Sequence, residues 1–248
     1  MAGISCQSTP QVTGPGVDSG DEKLAKAKLA EAEPLYEGRA DMAKARVAVA
    51  VLRQARVADY GNYEVAWKLA RAAYYVGEHT DNDDERDDMF REGIQAGLAA
   101  VKLQDNKPDG HFWLGANYGG NAAHSTLASL ANVQDIRREM EAVIKIDENY
   151  QGGSAYLGLG RLYLQAPKVL GGDANKAIGY LEKGLKLGPN NSLMRFHLAE
   201  AYAEAERDAE ARKQLDALMA MTPDPKYVAE HEDAVRQAKK LLEKLDSR

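Results

Sequence analysis

One arrangement of small and aromatic residues occurs twice between Gly153 and Pro225, each time split into two helical halves, and it confines that stretch to paired antiparallel helices. In the first copy Tyr156, Leu159, Gly160 and Tyr163 precede Ala177, Leu181, Gly184, Leu187 and Pro189. In the second, Leu198, Ala199 and Tyr202 precede Ala211, Leu215, Leu218, Met221 and Pro223. The small residues let two helices approach closely, the aromatics fill the space beside them, and the proline ends the second helix. A unit of this kind cannot bury its apolar face alone, so copies must stack.

The same spacing extends upstream. Trp67, Ala70, Arg71 and Tyr74 mark a first helix whose partner carries Gly93, Gly97, Ala100 and Leu103. A further unit opens at Pro108, with Leu114, Gly115 and Tyr118 on its first helix and Ile136, Met140, Val143 and Ile146 on its second. Three of these units are predicted to carry an insertion at the turn between their helices, over 80–88, 119–133 and 166–171, placing the additions on one edge of the array. Residues 21–36 and 41–60 read as one more, degenerate pair, and 226–245 as an amphipathic helix that caps the last repeat with Val228, Val235, Leu241, Leu242 and Leu245. The expected fold is all-α, a tetratricopeptide-like α-solenoid of about four to five helical pairs plus a C-terminal capping helix, filling residues 21–248.

Composition narrows the function. The chain is rich in Ala, Leu, Glu and Lys, which favours helix. The net charge is −6 with both signs interspersed, so no basic face exists to neutralise a phosphate backbone, and nucleic acid is not an expected partner. The sequence contains no run of about 18 apolar residues of the kind that spans a bilayer. His231 and Glu232 lack a second histidine four residues after the first, no Gly-x-Ser-x-Gly elbow occurs, and no phosphate loop is present. Catalysis, a cofactor and a metal are not expected. The acidic run Asp81, Asp83, Glu85, Asp87 and Glu92 has calcium-loop spacing, but Arg86 stands where such a loop needs glycine. A solvated loop ahead of the next helix is the favoured reading there.

Residues 1–20 are small, polar and broken by Pro10, Gly14, Pro15 and Gly16, and read as a disordered N-terminal tether. Cys6, the sole cysteine, follows Ala2, Gly3, Ile4 and Ser5, which is similar to the small-residue site where bacterial lipoprotein precursors are cut and lipidated. Lipid attachment at Cys6 and a free thiol in a leader are the two readings.

The run Gly110-His111-Phe112-Trp113-Leu114-Gly115-Ala116-Asn117-Tyr118-Gly119, with Gly171-Gly172-Asp173 leading into Lys176-Ala177, goes beyond a generic repeat. Together they resemble the T component of tripartite ATP-independent periplasmic (TRAP) transporters, the TatT family, from about Arg39 to Pro225. The resemblance implies a non-catalytic periplasmic lipoprotein, touching a membrane only through its lipid anchor. It also implies a homotrimer with an apolar cleft or pore for a hydrophobic small molecule, docking the transporter's periplasmic substrate-binding protein. The competing class is a protein-interaction scaffold that uses the same groove for a partner's helix or peptide, with no small ligand.

In such repeats the first helix of each pair lines the groove. Its predicted lining includes Lys68, Phe112, Leu157, Arg161, Leu164 and Phe196, mostly apolar with two cations. That suits an apolar ligand with one anionic end, anchored on Arg161. His111, Trp113 and Asn117 are further candidates to touch it. Tyr118, also a candidate, sits on the packing seam, where a core role is the stronger reading.

Overall fold

The structure, a computed structural model, describes residues 21–124 and 126–247. The tether over 1–20, and Cys6 with it, lies outside the described residues. Those described form eleven α-helices in five antiparallel pairs plus a terminal helix: α1 (Glu22–Glu37) with α2 (Met42–Ala58), α3 (Tyr63–His79) with α4 (Asp83–Leu103), α5 (Pro108–His124) with α6 (Thr126–Ile146), α7 (Ser154–Gln165) with α8 (Ala174–Leu187), α9 (Ser192–Glu204) with α10 (Asp208–Met219), and α11 (Val228–Asp246). Among the described residues there is no strand.

Local chemistry sets the starts. Asp21, Asp41, Asn62, Asn82, Asp173 and Asn191 each cap a helix, their side-chain oxygens accepting a backbone N–H two or three residues on. Each such cap is worth about 1 kcal/mol. Pro108 stands first in α5, where its missing N–H costs nothing. The turn into α7 runs through Gln151, Gly152 and Gly153, all at positive φ, and so needs its glycines.

The small-residue seams are where the helices meet. A methyl on Gly97 would lie 2.8 Å from Leu114 Cβ, one on Gly160 2.6 Å from Leu181 Cδ2, and one on Gly184 2.6 Å from Met194 Sδ. These contacts join α4 to α5, α7 to α8, and α8 to α9. Consecutive odd-numbered helices touch one another, whereas consecutive even-numbered ones make no comparable backbone approach. The array therefore curves with the odd-numbered helices inside. On the outside, Arg46 and Arg53 of α2 reach across to Glu85 and Glu92 of α4.

Two of the three predicted insertions are not loops. Residues 83–88 form the first turns of α4, because Asn82 caps the helix and its carboxylates favour the positive end of the dipole. Glu85 and Glu92 are committed to Arg46 and Arg53, and Glu85 also accepts from Thr80, so they are not arranged as a calcium loop. The additional residues over 119–124 and 126–133 lengthen α5 and α6. Only 166–171 is an irregular turn, a single 3-10 turn at Lys168–Leu170 closed by Gly171 at φ +96°.

The terminal helix caps the array largely with the predicted face, Val228 excepted. Ala234, Ala238 and Leu245 are buried against α9 and α10, with Val235, Leu241 and Leu242 beside them, while Val228 is exposed. Its first turn crosses to the α1–α2 corner, where Arg39 donates to Glu230. The two ends of the array thus meet across the concave side.

Candidate functional site

Helix α5 carries little side-chain volume, with Gly110, Gly115, Gly119, Gly120, Ala116, Ala122 and Ala123 among its residues. A helix so thin cannot fill the space that faces α7, and a cavity of about 910 Å³ remains. That is the size of a small-molecule site. Its lining is largely apolar: Phe112, Trp113, Ala116 and Gly119 of α5, Val133, Ile136 and Met140 of α6, and Leu157 and Leu162 of α7. Ser192 and Leu193 at the start of α9, with Tyr227, Glu230 and His231 from the C-terminal segment, complete the wall. There Ser192 Oγ and His231 Nδ1 lie 2.7 Å apart.

One cation enters this cavity wall from α7. Arg161 Nη1 donates a long 3.4 Å bond to the Tyr74 hydroxyl, and Nη2 stands 4.0 Å from Glu78 Oε2. Its buried Nε has no hydrogen-bond partner among the described residues. Five donors in a planar fork are thus met by one weak bond and one distant carboxylate, which leaves room for a bidentate acid. Tyr74 and His197 nearby are held in their neutral forms. Burial pushes the Tyr74 hydroxyl up to about 12. Burial, with the charge of Arg161 adding to it, holds His197 below its ordinary value although Glu200 lies 2.6 Å from its Nδ1.

Of the residues singled out in the sequence, Phe112, Trp113, Leu157 and Arg161 meet on this cavity. The others lie elsewhere. His111 is buried between α5 and α6, its Nδ1 2.6 Å from Glu139 and its Nε2 2.8 Å from the Asp105 carbonyl. Asn117 is fully buried where α5 crosses α3 and α4, donating to the carbonyls of Ala70 and Trp113. Tyr118 packs in the core shared by α5, α6 and α7, and Leu164 and Phe196 in the core around α9. Lys68 is occupied by Glu33 at 2.7 Å and Glu64 at 2.8 Å.

Sequence reasoning missed the C-terminal wall. Tyr227, Glu230 and His231 arrive from the far end of the chain, and no local spacing announces that. The spacing puts Tyr74 on a seam, yet its ring, 5.8 Å from that of Trp113, also borders the cavity.

The fold and this concave cavity define a tetratricopeptide-like helical-repeat protein. Residues 62–247 match the family of TRAP transporter T-components, and the chain belongs to that family. It is accordingly an accessory component of a TRAP transport system, from a non-catalytic, periplasmic family. No helix among the described residues is long and apolar enough to cross a membrane. Among curated proteins none matches the sequence. Similar solved structures include a thermophilic tetratricopeptide protein of Thermus thermophilus, 18% identical over 85% of this chain and 98% of that one, with a TM-score of 0.63. MamA of Desulfovibrio magneticus, from its residue 41 onward, is 16% identical over 80% of this chain and 95% of that one, with a TM-score of 0.54. At these identities the likeness is one of fold.

Proposed function

We propose that this T-component carries an apolar ligand with one anionic end in the cavity between α5 and α7, and exchanges it with a docked periplasmic substrate-binding protein. The observation that carries the reading is Arg161, a largely desolvated guanidinium with one weak hydrogen bond, set in a largely apolar wall. An acid seated there completes its fork, and the apolar remainder of the ligand displaces water from Phe112, Trp113, Leu157 and Met140. Membership of the family supports the docking partner, a homotrimeric assembly and a lipid anchor on Cys6.

Native mass spectrometry of the purified chain without delipidation tests the reading. Extra mass that leaves on denaturation, and that is lost from an Arg161→Gln variant, is the expected result. A ligand-free wild type that also fails to take up an added fluorescent carboxylate lipophile overturns it in favour of a protein-interaction scaffold.

A further inference from the structure

Glycine weakens the interior of a helix relative to alanine, so each one in α5 calls for a reason. Three of the four have one in packing. A methyl on Gly110 would lie 3.1 Å from Val101 N, one on Gly115 2.7 Å from Met140 Cε, and one on Gly120 would run into the Phe90 ring. Gly119 has no such reason. Among the described residues no atom other than those of its chain neighbours and its own helix backbone lies within 4 Å of where its Cβ would stand, and it lines the cavity.

Its neighbours make that vacancy part of a track. Phe112, Ala116, Gly119 and Ala123 succeed one another at spacings of four, three and four, so they share one face of α5, and all four line the cavity. The track shares its cavity with the cation. A methyl on the adjacent Gly120 would come 3.0 Å from Glu78 Oε1, and the other oxygen of that carboxylate is 4.0 Å from Arg161 Nη2. A row of small side chains along one wall, in the same cavity as a guanidinium, suits a flexible methylene chain.

We propose that Gly119 sets the chain length of the ligand, an unbranched fatty-acid-like monocarboxylate whose acid pairs with Arg161 and whose chain lies over Ala116, Gly119 and Ala123. This rests on the ligand-carrier reading above and adds to it the chemical class and the residue that limits its size.

The test is a series of saturated fatty acids from octanoate to stearate, displacing a fluorescent carboxylate probe from the wild type and from Gly119→Leu, Gly119→Ala and Gly179→Leu. Leucine adds about four carbons to the track, and each methylene it excludes weakens binding roughly fourfold. The preferred chain should shorten by about three or four methylenes in Gly119→Leu and by about one in Gly119→Ala. Gly179 has the same open Cβ direction but lies on the exposed side of α8, away from the cavity, so Gly179→Leu should keep the wild-type profile. A folded Gly119→Leu protein with the wild-type chain-length profile overturns the proposal and leaves Arg161-dependent binding standing. Should leucine prevent folding, as a thermal melt would show, the alanine variant decides alone, and undiminished affinity for the longest chain overturns the proposal. A wild type that binds no member of the series overturns the carrier reading and this inference with it.

Discussion

Arg39 and Glu230, 191 residues apart in the chain, form a 2.6 Å ion pair that joins the corner of the first helical pair to the first turn of the last helix. The guanidinium lies 5.0 Å from the centre of the Tyr36 ring and 5.4 Å from that of Tyr75, which hold it in place for the carboxylate. Because Glu230 also lines the cavity, the same bond that ties the ends together fixes part of the cavity wall. Glu230→Gln should lower stability by about 1–2 kcal/mol, since the pair is mostly but not wholly removed from water. The sharper readout is local: amide hydrogen exchange should quicken over 228–235 while the core of α3 stays protected. Unchanged exchange in that turn would mean that its packing on α9, and not the ion pair, holds it.

His111 and Glu139 supply a pH dependence. Both ring nitrogens of His111 face acceptors, a carboxylate and a carbonyl, so its imidazolium is favoured and its pKa rises above the ordinary 6.5, the hydrogen bond to Glu139 contributing most. For Glu139, burial raises the pKa, but hydrogen bonds from His111 and Arg138 outweigh it and the value falls below 4.5. The His111 contribution is complete below pH 6.5 and is lost as pH rises through the higher folded value, whereas that of Glu139 is lost as pH falls through its lowered value. Urea denaturation should therefore show the stability gap between wild type and His111→Gln shrinking as pH is raised above about 6.5. A gap that is constant or widens with pH would contradict a charged buried histidine.

Much of the fold is legible because close helix contacts demand small residues at fixed spacing, and Gly97, Gly160 and Gly184 stand where the contacts occur. The acidic stretch after Thr80 was harder. Its density of carboxylates suggests a solvated loop, yet Asn82 followed three residues later by Glu85 is a helix-start signal, and the cap it announces is present. The cavity was only half visible. Phe112, Leu157 and Arg161 follow from helical register, but a hollow is space that side chains fail to fill, and one-dimensional spacing does not report it. His111 and Asn117 show the converse: polar residues on a helix look available until the neighbouring helices are in place to bury and bond them.

Gly93 and Asn117 are matched in shape. Asn117 donates Nδ2–H to the Ala70 carbonyl at 3.0 Å, and its Oδ1 and Cγ occupy the space a Cβ on Gly93 would need. Gly93→Ala should then cost about 1–3 kcal/mol by overpacking. Removing Asn117 alone should also destabilise, because it leaves a cavity and removes the side-chain bond that ties α5 to the Ala70 carbonyl of α3. Combined, Gly93→Ala and Asn117→Ala relieve each other, the new methyl entering the vacated volume. Equilibrium denaturation of the four proteins should give a coupling of about 1 kcal/mol or more in that direction, and strict additivity would show that the two sites adjust independently.

Glu78 decides how strongly Arg161 attracts an acid. At 4.0 Å the carboxylate is too far for a good hydrogen bond, yet near enough that its charge offsets part of the guanidinium field. Two unit charges at that separation interact by about 4 kcal/mol gross in an environment of effective dielectric near 20, most of it offset by solvation and rearrangement. For an incoming carboxylate, Glu78 is both a rival for the cation and a repulsive neighbour. Glu78→Gln keeps the shape, removes the charge, and should tighten binding of a fluorescent carboxylate lipophile by about three- to tenfold, against a loss of at least about tenfold in Arg161→Gln. A neutral lipophile of the same shape should not distinguish wild type from Glu78→Gln. Tighter binding of the acid alone places its charged end at Arg161, whereas equal effects on acid and neutral probe would place that end elsewhere along the cavity.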